Sequence, residues 1–259
     1  MLTRRILPGL NVIDGRVKKR QLGSERLLDV GDPVELAFKY QENGADGLVF
    51  ITDPKQDSSG QELLDMIEAI SQQVFMPLTV VCNVRTVAEV RNLLLAGADK
   101  VGISTRSIMA PDFIPKVAQV FGNQSIVAML DYHVDPRTNR KIVCTPGNTE
   151  LDAYEWALRV VELGVGELLV TSMDKDGTQN GYDTAFYKEL TAAVDVPVIA
   201  SGGAGKIDDF ADVFLNSGVT GALGASVFHF QQLTIAQVKE DLIKKGVPVR
   251  WNQTLQRGS

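Results

Sequence analysis

Histidine and cysteine are scarce in this chain, with two of each among 259 residues. Cys82 and Cys144 stand far apart in no metal or redox spacing, and His133 and His229 join no Cys/His cluster. That pattern excludes the familiar zinc motifs and a disulfide framework, and it fits a reducing cytoplasm. No metal and no cofactor is expected. A basic excess is missing as well: the net charge is −6, so little is available to neutralise a nucleic-acid backbone. Long apolar runs are also lacking, and the opening MLTRRILPGL is too short and too soon interrupted for a signal peptide. Nucleic-acid and membrane partners are thereby set aside. A small phosphorylated ligand is not, because backbone N–H groups bind phosphate without net positive charge.

What is present is a regular alternation. Apolar runs near 5–11, 47–52, 77–82, 100–104, 125–131, 167–172, 197–201 and 220–224 read as strands. Each precedes an amphipathic stretch, at 32–43, 61–73, 86–96, 111–121, 151–163, 183–193, 207–216 and 233–245. The strands are apolar throughout, as in a parallel sheet buried on both faces. Eight such units predict a (β/α)8 barrel over residues 1–250, with an open doubly wound sheet as the structural alternative. Residues 251–259 form a tail whose last residues, Arg257-Gly258-Ser259, look like an expression remnant.

The two halves, about 1–122 and 123–250, repeat each other. A shift of 120 residues lays Leu10-Asn11 on Leu130-Asp131 and Met76-Pro77 on Val196-Pro197. It also lays Gly44-Ala45-Asp46-Gly47-Leu48 on Gly164-Val165-Gly166-Glu167-Leu168. The barrel is therefore expected to consist of two similar (βα)4 halves about a pseudo-twofold axis.

Active sites of such barrels lie at the C-terminal strand ends. Asn11 and Asp131 should face each other there, at the ends of the first and fifth barrel strands. Asp131 is the candidate proton-transfer group, and a turn-capping aspartate is the plainer alternative. After the seventh and eighth strands, Ser201-Gly202-Gly203 and Gly224-Ala225-Ser226 form turns suited to an anion, although glycine turns also serve tight reversals alone. Asp176 and Gly177, in the loop after the sixth strand, are candidates to reach the same ligand. Phe50, Asp53, Val81, Asn83, Met129 and Thr171 are expected to line the rest of the pocket, with Phe50 or Tyr132 able to stack on a ligand.

The segments MLTRRILPGLNVIDGRV, GDPVELAFKY, AGADKVGIST, GELLVTSMDKDGTQNGYD, VIASGGAGK and GASVFHF resemble the cyclase subunit of imidazole glycerol phosphate synthase. The similarity runs from Met1 to about Arg250. It implies a histidine-biosynthesis lyase that joins ammonia to a bis-phosphorylated ribulosyl aminoimidazole carboxamide ribonucleotide. The products are imidazole glycerol phosphate and a purine precursor. It further implies two phosphate subsites related by the twofold, one at Gly203 and Ser226, the other near Ser104 and Thr105. A glutaminase partner is implied at the opposite end of the barrel, where Arg5, Lys100 and Glu167 match the charged ring through which the family passes ammonia.

Several positions depart from that family. Asn11 replaces the first-strand aspartate, and an amide cannot take up or release a proton near neutral pH. Val81-Cys82-Asn83 replaces a triple-glycine phosphate turn, VFITDPKQ alters the second strand end, and Gly47 replaces the fourth charged member of the ring. These changes suggest natural divergence or an engineered scaffold. Two alternatives follow. One is a barrel repurposed, by evolution or de novo design, for proton abstraction from a small non-phosphorylated substrate with Asp131 as base. The other is an inactive ligand-binding subunit.

Overall fold

The computed structural model describes residues 3–20, 26–52, 60–104, 110–145 and 150–251. The first strand, β1 (Arg5–Ile13), runs on into an antiparallel hairpin of β2 (Arg16–Arg20) and β3 (Leu27–Gly31). β4 (Leu48–Thr52), β5 (Leu78–Cys82), β6 (Lys100–Ile103) and β7 (Ile126–Val134) then follow as parallel neighbours. A short β8 (Lys141–Val143) folds back on the end of β7. β9 (Glu167–Ser172), β10 (Val198–Ser201) and β11 (Gly221–Gly224) complete the ring, and β11 pairs with β1 to close it. Parallel strands need crossovers, and each gap holds a helix: α1 (Pro33–Glu42), α2 (Gln61–Ser71), α3 (Val87–Leu95), α4 (Phe113–Phe121), α5 (Ala153–Glu162), α6 (Thr184–Ala193) and α7 (Ile207–Asn216). A short α8 (Ser226–His229) and then α9 (Ile235–Lys244) follow β11. The architecture is a closed (β/α)8 barrel; the open sheet is ruled out by the β1–β11 pairing.

The repeat survives in detail. β1 and β7 are both nine residues long, and both extend beyond the barrel rim into an antiparallel partner. Asp32 and Asp152 cap α1 and α5 alike, each accepting two backbone N–H bonds through one carboxylate oxygen. Such caps hold the first helical turn, and removing one costs about 0.5–2 kcal/mol.

Two apolar layers result from strand alternation. Leu7, Val49, Val81, Val127, Leu169, Ile199 and Leu223 point into the barrel and fill its interior. Their neighbours Ile6, Leu48, Phe50, Val80, Leu168 and Ala200 point outward against the helices. At the bottom of the closing seam, Lys239 Nζ is buried on Asp46 Oδ1 at 2.7 Å and also donates to the carbonyls of Gly44 and Arg250. Nearby, Arg4 N donates to Pro248 O at 2.7 Å and ties the segment before β1 to the one after α9.

Candidate active site

The mouth at the C-terminal strand ends holds two adjoining cavities. One, of about 180 Å³, lies over the second half of the barrel. The other, of about 540 Å³, extends over the first half. Asn11, Lys19, Ile51, Met129, Asp131, Met173 and Asp176 line both and mark where they join.

β7 carries Asp131 inward beside Thr171 of β9, its registered neighbour. One carboxylate oxygen is sealed from solvent without a hydrogen-bond partner among the described residues. Burial pushes the Asp131 carboxyl up to about 6; a hydrogen bond from Thr171 opposes this and the charge of Asp176 adds to it. A carboxyl so poised is ionised at neutral pH yet weakly solvated, which suits proton transfer. Asn11, carried inward by β1, lies in both cavities with it.

The glycine turns split into two cases. Gly202 and Gly203 adopt φ of +87° and +105°, and a Cβ at either would run into backbone of the β9 end or the loop after it. Glycine is therefore required there by the chain path alone. The smaller cavity opens over these residues and reaches Ser201, Thr171, Asp176, Gly177, Ala225 and Ser226. Gly224 differs. Its missing side chain makes room for the Phe228 ring, and it does not line the cavity, so its expected place in the anion turn is corrected. The larger cavity brings Val81, Asn83 and Ser104 together, the Ser104 hydroxyl being buried without a partner among the described residues.

Two further expectations are corrected. Phe50 is 0% exposed and packs outward in the helix-facing core rather than at the mouth. Tyr132 lies edge-on to Phe186, with its hydroxyl donating to Asp183 at 2.7 Å. Both stand one residue out of phase with inward neighbours, and alternation sends them to the other face. Asp53 and Thr105 lie outside the described residues. Lys19 was not anticipated. It sits on β2, is almost wholly buried, and holds its ammonium 3.4 Å from Asp176 at the junction of the cavities. The basic run Arg16–Arg20, RVKKR, was the available signal. No group of three metal-ligating side chains occurs among the described residues.

At the opposite end, Glu167 is 1% exposed and bridges two cations. Arg5 Nη2 lies 2.5 Å from Oε1 and Lys100 Nζ 2.7 Å from Oε2. A Cβ at Gly47 would fit tightly, 3.0 Å from the Leu7 side chain and 3.1 Å from Pro77 O.

The sequence profile of a family described as histidine biosynthesis protein matches residues 5–234. The chain is 66% identical, over the whole of both chains, to the imidazole glycerol phosphate synthase subunit HisF of Limosilactobacillus fermentum. The chain belongs to the HisF family. HisF of Lactiplantibacillus plantarum is 50% identical and HisF of Lacticaseibacillus paracasei 47%, each alignment spanning 96% of this chain and all of the relative. HisF proteins are the cyclase subunits of their synthase, enzymes of histidine biosynthesis, and this chain is one of them. The departures at Asn11 and Val81-Cys82-Asn83 thus occur in a chain of the HisF family. The doubt they cast on its activity is not borne out, and nothing in these similarities points to a redesigned or inactive barrel. No helix among the described residues is long and apolar enough to cross a membrane.

Proposed function

We propose that the mouth binds the bis-phosphorylated ribulosyl aminoimidazole carboxamide ribonucleotide and that Asp131 transfers the protons of its cyclisation with ammonia. The observation that carries this is one buried, poorly solvated carboxyl at the junction of a glycine-lined cavity and a larger one. One phosphate takes the smaller cavity, held by backbone N–H groups around Gly202, Gly203 and Ala225 and by Ser226, with Asp176 and Gly177 at its edge. The other end of the substrate extends toward Ser104 and Asn83.

Ammonia adding to the ribulosyl ketone must lose protons from nitrogen while the carbonyl oxygen gains one. Asp131, ionised at neutral pH, accepts from nitrogen and returns the proton to the departing oxygen as water. Asn11 can only orient a reacting group by hydrogen bonding. Lys19 adds positive charge where oxygen becomes anionic. Ammonia enters from the end carrying Arg5, Lys100 and Glu167, where a glutaminase subunit docks. A cytoplasmic setting goes with this reaction.

The test is turnover of that ribonucleotide under a large excess of ammonium salt, which needs no glutaminase. Turnover that disappears in Asp131→Asn supports the reading. Equal turnover in the variant, or none in the wild type, overturns it.

A further inference from the structure

The first helix, α1, is tied to the short helix that carries Ser226 by a buried contact. The Tyr40 hydroxyl lies 2.6 Å from His229 Nδ1. Tyr40 is 4% exposed, and the two rings are 6.0 Å apart. The partners are 189 residues apart in sequence, and the contact lies across the seam where β11 meets β1.

The protonation states of the pair are well defined. Burial pushes the His229 imidazole down to about 4, and the nearby Lys19 charge acts in the same direction, so the ring is neutral under physiological conditions. Burial also raises the Tyr40 phenol, which stays protonated. The hydroxyl therefore donates to Nδ1, and the ring proton sits on Nε2. Nε2 is buried near the Gly9 carbonyl without a hydrogen bond of good geometry. Among the described residues, the Tyr40 bond is what fixes the ring.

His229 closes a turn that begins at the anion cradle. Its backbone N–H donates to Ala225 O at 2.9 Å, and that of Phe230 to Ser226 O at 3.0 Å. Ala225 itself holds an unusual backbone conformation, φ −122° and ψ −76°. We infer that Tyr40 and His229 are a positioning pair, which locks Ala225 and Ser226 in the orientation that receives a phosphate of the substrate. The inference rests on the smaller cavity being a phosphate subsite. It goes beyond that reading by assigning a function to two buried residues that touch no ligand.

Removing one well-aligned hydrogen bond of this kind from a binding site is worth roughly a five- to tenfold weakening. Tyr40→Phe and His229→Leu should each raise the substrate KM and the Kd for inorganic phosphate by about that factor, with kcat within about twofold. His229→Asn, whose amide oxygen stands close to where Nδ1 was, should recover most of the loss. The double variant should be no weaker than either single one. A lower melting temperature with unchanged KM and phosphate affinity overturns the inference and leaves the pair a packing contact. An equal loss in His229→Asn also overturns it. Wild-type protein that binds no phosphate overturns the underlying assignment of the subsite too. Wild-type binding with unaltered variants overturns the inference alone.

Discussion

The two halves of the barrel share a backbone plan but not a mouth. In the second half, β7 carries a carboxyl at the mouth and β10 is followed by two glycines with positive φ, beneath a small cavity. In the first half, β1 presents an amide and β5 ends in Val81 and Cys82, followed by Asn83, beneath a cavity of about 540 Å³. The capping aspartates and the long first strands are kept in both, and matching helices agree in length to within one residue. A repeat of this kind preserves what folds the chain, while the strand ends, which bear little of the core, are free to specialise.

The largest effect should come from the carboxyl in the second half. Asp131→Asn is expected to lower kcat for ammonia-dependent cyclisation by about 10²–10⁴, as loss of a general acid–base group does. Asn11→Asp, the matching change in the first half, should raise kcat about tenfold by adding a second proton-transfer group to the mouth. An unchanged rate there would mean that the first half contributes geometry and no acid–base capacity. Both are read in one steady-state assay.

Next in size is a change that separates core from mouth. Phe50→Ala should cost about 3–5 kcal/mol of stability in urea unfolding, with substrate KM unaltered. A raised KM without loss of stability would return Phe50 to the pocket.

Stability against pH divides the molecule in another way. Asp131 has its folded-state pKa raised to about 6, so the native state holds its proton longer than the unfolded chain does. Its contribution to stability is therefore lost as pH rises from about 4 to 6. His229 is lowered to about 4, mainly by burial, so its contribution is lost as pH falls from 6.5 toward 4. The two oppose each other over most of that window. Asp131→Asn should thus be more stable than the wild type by roughly 3 kcal/mol at pH 7 and by little at pH 4. Urea midpoints at both pH values check this; a gap that does not close toward pH 4 would sink it.

The smallest effect belongs to the first-half turn. Asn83→Gly should change substrate KM by about threefold or less, since side chains rather than a glycine cradle line that cavity. A drop of tenfold or more would mean that the side chain obstructs an anion subsite.

Much of this was legible in the sequence. The eight predicted strands and helices fall within about three residues of those observed, because apolar runs of strand length between helical periods leave the backbone little else to form. The first and fifth strands run two or three residues longer than expected, because each continues past the rim to pair with an antiparallel partner. The polar run of β2, RVKKR, hid that strand and Lys19 with it, while β3 and β8 are too short to stand out as runs of their own. The facing of buried strand residues could not be read. Phe50 and Val81 both sit in unbroken apolar runs, and only the register of the closed sheet shows that one packs on helices and the other inside. Gly224 was misplaced for a related reason, because a glycine next to a ring looks the same in sequence as a glycine next to a phosphate.

The meeting of Arg4 with Pro248 carries a consequence for how the chain could be rearranged. With Arg4 hydrogen-bonded to Pro248 at the bottom of the closed ring, the order of the two halves along the chain is not fixed by the fold. A gene in which the second half precedes the first, opened at Gly122 and joined by a short spacer from Pro248 to Arg4, would encode every strand pairing of the present molecule.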